Sequence, residues 1–142
     1  MTISEGGCRC RSIRYVIEGE ALLTAICHCD DCRLSSGAPF VAWAAVKSTA
    51  FKVTNGRPKQ WTVDGHALRF FCEKCGTGLY YVNEAKLPGL VDVQVATLDE
   101  PEDWPPELQM QVAEKVSWAG AALTTPSYQR YPDPFGGVVP GP

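Results

Sequence analysis

Seven cysteines fall in three tight groups: Cys8 and Cys10 as C-x-C, Cys27, Cys29 and Cys32 as C-x-C-x-x-C, and Cys72 and Cys75 as C-x-x-C. Sulfurs two or three positions apart can turn toward one point, whereas a disulfide between such neighbours closes a strained small ring. The spacing therefore predicts metal knuckles. An odd total strands one thiol in a purely disulfide framework, but seven divides naturally into four plus three. Cys8, Cys10, Cys72 and Cys75 make one closed tetrahedral zinc site with no remainder. Cys27, Cys29 and Cys32 are left to hold a second zinc with one position vacant.

The two sites predict different chemistry. Phe71-Cys72-Glu73-Lys74-Cys75-Gly76-Thr77-Gly78 has the form of a rubredoxin-like knuckle, in which Gly76 permits the tight backbone and turn N–H groups can face the sulfurs. A closed site of this kind stabilises the fold. Three thiolates on the second zinc leave room for water, a substrate thiol or a side chain from elsewhere, and an open site can act on a substrate. His28, pinned between two ligands, is expected to point away from their metal. His66, in the turn Asp64-Gly65-His66, reads as a surface histidine. The residues alone also allow both zincs to be structural, with the second closed by an Asp, Glu or His.

The elements that must position these sulfurs are mainly strands. Ile13, Tyr15 and Ile17 recur at period two, as do Val91, Val93 and Val95. Further β-leaning runs are Leu22–Ile26, Phe40–Val46, Ala50–Val53, Gln60–Val63, Leu68–Phe71 and Gly78–Val82, ended by Gly, Pro, Asn or Asp. Spacings this short leave no room for helical crossovers, so packed antiparallel sheets are expected. The one helix expected in the metal region runs from about Asp30 to Ser36, carries Cys32, and stops at Gly37 and Pro39. Ala85 to Leu87 is at best a single turn. The acidic run Asp99–Asp103 reads as a solvated loop.

Length and charge narrow the function further. The 142 residues predict one zinc-binding domain over 1–125, followed by a Pro/Gly-rich tail over 126–142 lying on the surface or disordered. No basic leader or membrane-length apolar run is present, and free thiols suit a reducing compartment, so a soluble, cytoplasmic protein is expected. Thirteen Lys plus Arg against 16 Asp plus Glu give a formal charge of −3, and two Zn²⁺ on seven thiolates would make it more negative. A phosphate-backbone binder needs a concentrated positive face, so neither nucleic acid nor membrane is an expected partner.

The same segments resemble the glutathione-dependent formaldehyde-activating enzyme (GFA) family, whose wider group includes the centromere protein V domain. The matching pieces are Gly7-Cys8-Arg9-Cys10 with Arg14-Tyr15, Cys27-His28-Cys29-x-x-Cys32-Arg33, Ser36-Gly37-Ala38-Pro39-Phe40, and Phe71-Cys72-x-x-Cys75-Gly76-Thr77. Later pieces are Asp92-Val93-x-Val95-Ala96-Thr97-Leu98-Asp99 and Lys115-x-x-Trp118, so the resemblance covers roughly residues 4–120. It implies a β-tent fold and the same division into structural and catalytic zincs. It also implies a carbon–sulfur lyase activity, the addition of glutathione to formaldehyde to give S-hydroxymethylglutathione. Two positions depart from the family pattern: Arg11 stands where Gly often follows the second cysteine, and Gln109-Met110-Gln111 where His-x-Trp would fall.

The site expected from these readings has Cys27, Cys29 and Cys32 as catalytic metal ligands. A thiol takes the vacant zinc position and adds to a small aldehyde. Arg33 is the candidate to bind a substrate carboxylate, since a guanidinium matches that group bidentately. Phe40 and Trp43 either wall the pocket or belong to the core. A rival reading from another class is a thiol-binding or protein-interaction module, stabilised by zinc and without turnover.

Overall fold

In the computed structural model, whose described residues are 2–132, the β-leaning runs form ten strands around one short helix. The strands are β1 (Ile3–Gly7), β2 (Arg14–Glu18), β3 (Leu23–Cys27), β4 (Val41–Lys47), β5 (Phe51–Asn55), β6 (Lys59–Thr62), β7 (Leu68–Phe71), β8 (Gly78–Val82), β9 (Leu90–Gln94) and β10 (Leu108–Met110). They make a three-stranded sheet in the order β1-β2-β5 and a seven-stranded sheet in the order β10-β3-β4-β9-β8-β7-β6. The architecture is mainly β, as the punctuated apolar runs predict.

Period two decides which side chains meet between the sheets. Tyr15 and Ile17 of β2 are fully buried while their neighbours are not, and they pack with Val46 of β4, Leu79 of β8 and Val93 of β9. The Tyr15 hydroxyl is satisfied by Thr97 Oγ1 at 2.8 Å. Its ring lies so close to β1 that a Cβ on Gly6 would overlap the phenol, so this position requires glycine. A phenol buried with its hydroxyl bonded adds apolar contact without leaving a polar group unpaired.

One pairing differs from the antiparallel expectation. β10 runs parallel to β3, with Gln109 opposite Ile26 and Met110 opposite Cys27. The connection that allows it is the whole chain between them rather than a helical crossover, so short spacing between neighbouring strands did not forbid it. β1 and β10 were not apparent as strands, because Ile3-Ser-Glu-Gly-Gly and Leu108-Gln-Met carry too few alternating apolar residues. The acidic stretch is also less free than expected: Asp99 takes two hydrogen bonds from the Arg14 guanidinium, one of 2.9 Å, and Arg14 also reaches Glu5 at 3.5 Å.

The helix α1 (Asp30–Ser36) has the expected bounds. Cys29 is its N-cap, with extended backbone and its Sγ accepting from the Cys32 N–H at 3.2 Å. Asp30 and Asp31 occupy the first turn, where the helix dipole favours negative charge, and Gly37 closes the helix at φ 65°. Residues 84–87 form only a turn, held by Leu87 N–H on the Asn83 carbonyl at 2.7 Å. No helix among the described residues is long and apolar enough to cross a membrane. Of the expected tail, residues 126–131 are exposed and 133–142 lie outside the described residues.

Candidate metal centres and the adjoining cavity

Two hairpin turns from different sheets bring four sulfurs together. Cys8 and Cys10 sit in the turn after β1, and Cys72 and Cys75 in the turn between β7 and β8. Their four Sγ atoms all lie within 4.8 Å of one another. Cys8 Sγ is 3.6 Å from Cys10 Sγ, which is 3.8 Å from Cys72 Sγ. A tetrahedral ion with Zn–S bonds of about 2.3 Å needs sulfur–sulfur edges of about 3.8 Å, so donor type and spacing both fit zinc. An ion held there ties the three-stranded sheet to the seven-stranded one.

The surroundings favour the thiolate at two of these sulfurs, Cys75 and Cys8. Cys75 is pushed down to about 5, first by the Thr77 hydroxyl at 3.2 Å and then by backbone N–H groups of Thr77 and Cys10. Burial works against Cys8, yet the Ile13 N–H at 3.2 Å and the hydroxyl of Ser12 leave it lowered. Cys10 moves the other way: the Ser12 hydroxyl and amide pull it down, but burial and the neighbouring Cys8 and Cys75 sulfurs prevail. Ser12 Oγ lies 3.1–3.6 Å from three of the sulfurs, a contact that spacing rules for metal ligands do not reveal. Gly76, at φ 78°, makes the tight turn its place in the knuckle predicts.

The turn of the first knuckle holds Arg11 in a strained backbone conformation. Arg11 has φ 64°, the left-handed region that glycine enters without strain, so Gly is the easier residue there.

Cys27, Cys29 and Cys32 form the second cluster, also with all Sγ atoms within 4.8 Å. Cys27 ends β3, Cys29 caps α1 and Cys32 lies in its first turn, so one strand-to-helix junction supplies all three. Cys27 and Cys32 are buried with Val41 and Trp43, and Tyr81 packs against them. This dry setting reverses the electrostatics: burial raises Cys27, and burial with the adjacent Cys29 pushes Cys32 up to about 12. No fourth His, Cys, Asp or Glu among the described residues joins these sulfurs.

Neither histidine is a member. His66 sits in the turn between β6 and β7, its N–H donated to Asp64 Oδ1 at 2.8 Å. His28 is buried beside Phe40, with ring centroids 5.4 Å apart, and its Nε2 donates to Gln109 Oε1 at 2.7 Å. Its Nδ1 is buried without a partner. Gln109 thus stands in the second family departure and contacts the histidine between two cluster cysteines. Its strand supports that junction further, since His28 N–H donates to the Met110 carbonyl at 3.1 Å.

Arg33 is held by Asp30 at 3.1 Å, while its Nε is buried without a hydrogen-bond partner. The arginine at the cluster is Arg69 of β7, which sequence spacing did not single out. Its Nη2 is 2.6 Å from Asp31 Oδ2 and 3.8 Å from Cys32 Sγ. The guanidinium also lies 5.2 Å from the Tyr81 ring and 6.0 Å from that of Trp43. Arg69 and Trp43 line a cavity of about 520 Å³, with Asp31 and Ser35 of α1, Phe70 and Phe71 of β7 and Tyr80 of β8. Trp43 is therefore both core and pocket wall.

The family model described as glutathione-dependent formaldehyde-activating enzyme matches residues 3–114. A Schizosaccharomyces pombe protein described as an uncharacterized lyase is 31% identical over 77 residues, covering 54% of this chain and 56% of that protein. The chain thus spans about half the length of this curated relative. A crystal structure of a Rhodobacter sphaeroides protein superposes with a TM-score of 0.61 at 21% identity, covering 75% of this chain and 99% of the other, a likeness of fold.

Proposed function

The chain belongs to the glutathione-dependent formaldehyde-activating enzyme family, and from that premise we propose that it adds a thiol, glutathione or a similar one, to a small aldehyde. The reaction forms a carbon–sulfur bond at Cys27, Cys29 and Cys32. The observation that carries this reading is the three-sulfur cluster with no fourth protein donor among the described residues, set beside a cavity. Cys8, Cys10, Cys72 and Cys75 hold a structural zinc in the same reading, and the three-cysteine cluster holds a catalytic one. When bound there, zinc ionises an incoming thiol at neutral pH, where a free thiol of pKa about 8.5 is only a few per cent thiolate.

The chain's own residues supply the rest. Ionisation alone contributes about 2 kcal/mol, and part of that is lost because a more acidic thiol is a weaker nucleophile. Holding thiol and carbonyl in contact must contribute the larger share. In this reading Arg33, 34% exposed and paired with Asp30 through one Nη, holds a carboxylate of the thiol substrate through the exposed part of its guanidinium. Arg69 donates toward the cluster and remains charged throughout, so it stabilises negative charge on sulfur or on an oxygen that gains it. Trp43 and Tyr81 keep water from the sulfurs.

Thiols add to formaldehyde unaided, so the test is the initial rate above that background. The zinc-loaded protein should accelerate loss of free thiol saturably, and Cys29→Ser should abolish the acceleration while keeping the fold. Serine retains the helix cap that Cys29 provides, so the substitution removes the thiolate and little else. A wild type that depletes free thiol in stoichiometric amounts without raising the initial rate is a thiol-binding module and not an enzyme.

A further inference from the structure

The cavity beside the three-sulfur cluster is far larger than formaldehyde requires. Its volume of about 520 Å³ lies in the range of pockets that enclose ligands of many heavy atoms. Its walls include Trp43, Trp61, Phe70, Phe71 and Tyr80. The Phe70 and Tyr80 rings stack with centroids 4.5 Å apart and planes 12° from parallel. Trp61, 53% exposed, and Leu34, 74% exposed, flank the cavity. Large apolar side chains exposed around a concave apolar surface mark a ligand site.

Charge decides what kind of ligand fits. Among the described lining residues only Arg69 and Asp31 are charged, and they pair with each other at 2.6 Å, so the lining is neutral overall. Glutathione carries two carboxylates and an ammonium group. Burying these against aromatic walls with one arginine already engaged is unfavourable, because they lose water without gaining partners. A flat, uncharged body meets no such cost and gains stacking area.

Helix α1 separates this cavity from the Arg33 side, where the carboxylate end of the thiol is expected. Asp31, Leu34 and Ser35 recur at i, i+3 and i+4 and line the cavity, whereas Arg33 projects roughly 150° away around the helix, with Cys32 between. A thiol whose carboxylate is held on the Arg33 side leaves the cavity free. Arg69, which lines the cavity and reaches Cys32 Sγ at 3.8 Å, connects cavity to cluster.

We infer that this cavity binds the carbonyl partner, and that this partner is an uncharged aromatic aldehyde rather than formaldehyde. The inference rests on the thiol-addition reading above. The thiol loses its proton to solvent as the sulfur ionises, and a sulfur lone pair forms the C–S bond. The carbonyl π pair moves to oxygen, which accepts a hydrogen bond from Arg69 and takes one proton from solvent. Nothing is oxidised or reduced.

Binding can be read without turnover. Saturation-transfer NMR of benzaldehyde with the zinc-loaded protein should show saturable binding that S-methylglutathione, which lacks a free thiol, does not displace. Trp61→Ala removes an exposed wall and Ser35→Trp fills the cavity from an exposed position of the helix. Each should weaken benzaldehyde binding by about ten-fold or more, with circular dichroism unchanged. No detectable binding, binding indifferent to both variants, or competitive displacement by S-methylglutathione each overturns the assignment. If benzaldehyde binds as expected but no thiol addition is accelerated, the proposed reaction fails and the cavity assignment stands. If formaldehyde turnover is intact and benzaldehyde does not bind, only the cavity assignment fails.

Discussion

Replacing Arg69 by Met keeps most of the side chain's volume while removing the positive charge nearest the three-sulfur cluster. Three thiolates on a divalent zinc leave a net charge of −1, and the guanidinium reaches Cys32 Sγ at 3.8 Å. At about 5.5 Å from the centre of that charge, with an effective dielectric of about 20, the attraction is about 3 kcal/mol. Solvent reduces it, although the Arg69 side chain is only 13% exposed, so roughly 1.5–3 kcal/mol remains. Asp31 also loses its counter-charge 2.6 Å away and adds repulsion, partly screened because it is half exposed. Zinc should therefore bind the three-cysteine cluster ten- to a hundred-fold more weakly, at about 1.4 kcal/mol per factor of ten. A two-site titration against a chromophoric chelator separates the centres, and the four-cysteine site should keep its affinity. An unchanged weaker site, or equal weakening of both, would refute the electrostatic role given to Arg69.

Other perturbations test other joints of the structure. Gln109→Ala strips His28 Nε2 of its partner inside a buried site and should cost about 1–3 kcal/mol in urea unfolding, whereas a change below about 0.5 kcal/mol would show that water replaces the amide. Arg11→Gly relieves a left-handed backbone worth about 1 kcal/mol, partly offset by the greater freedom of glycine in the unfolded chain, so the Tm should rise by a few degrees and not fall. Protons should displace metal from the two centres at different pH. Cys32, pushed up to about 12 by burial, and Cys27, also raised, let protons compete at higher pH than Cys8 and Cys75, both lowered, the latter to about 5 by the Thr77 hydroxyl, with Cys10 alone raised among the four. Acidification should release one zinc equivalent from the three-cysteine cluster first and the second only at lower pH; simultaneous release would contradict the contrast between the sites.

What could be read from sequence was what is local. Each cysteine group declares itself by spacing, because C-x-C and C-x-x-C turns bring neighbouring sulfurs together, although the meeting of Cys8 and Cys10 with Cys72 and Cys75 needs both sheets. The bounds of α1 are equally local, with Gly37 at its end, whereas its cap, the Cys29 sulfur, was not legible as one. Arg69 lies 37 positions from Cys32 and looks like any polar residue in a β-leaning run, so only the pairing of β7 with its neighbours brings it to the cluster. Gln109 is 81 positions from His28 and acts through a three-residue strand too short to show alternation. Arg33, adjacent to a ligand in sequence, drew attention for that reason, but helical rotation turns it away from the cavity. The family departures at Arg11 and Gln109 were visible as letters, and their meaning came from a backbone angle and a hydrogen bond.

The division of seven cysteines into a closed set of four and an open set of three is tested most directly by native mass spectrometry of Cys29→Ser beside the wild type. Two zincs per wild-type chain and one in the folded variant are predicted, because the four sulfurs that join the two sheets do not depend on the strand-to-helix junction. A variant that loses both zincs, or keeps both with undiminished affinity, would contradict that division.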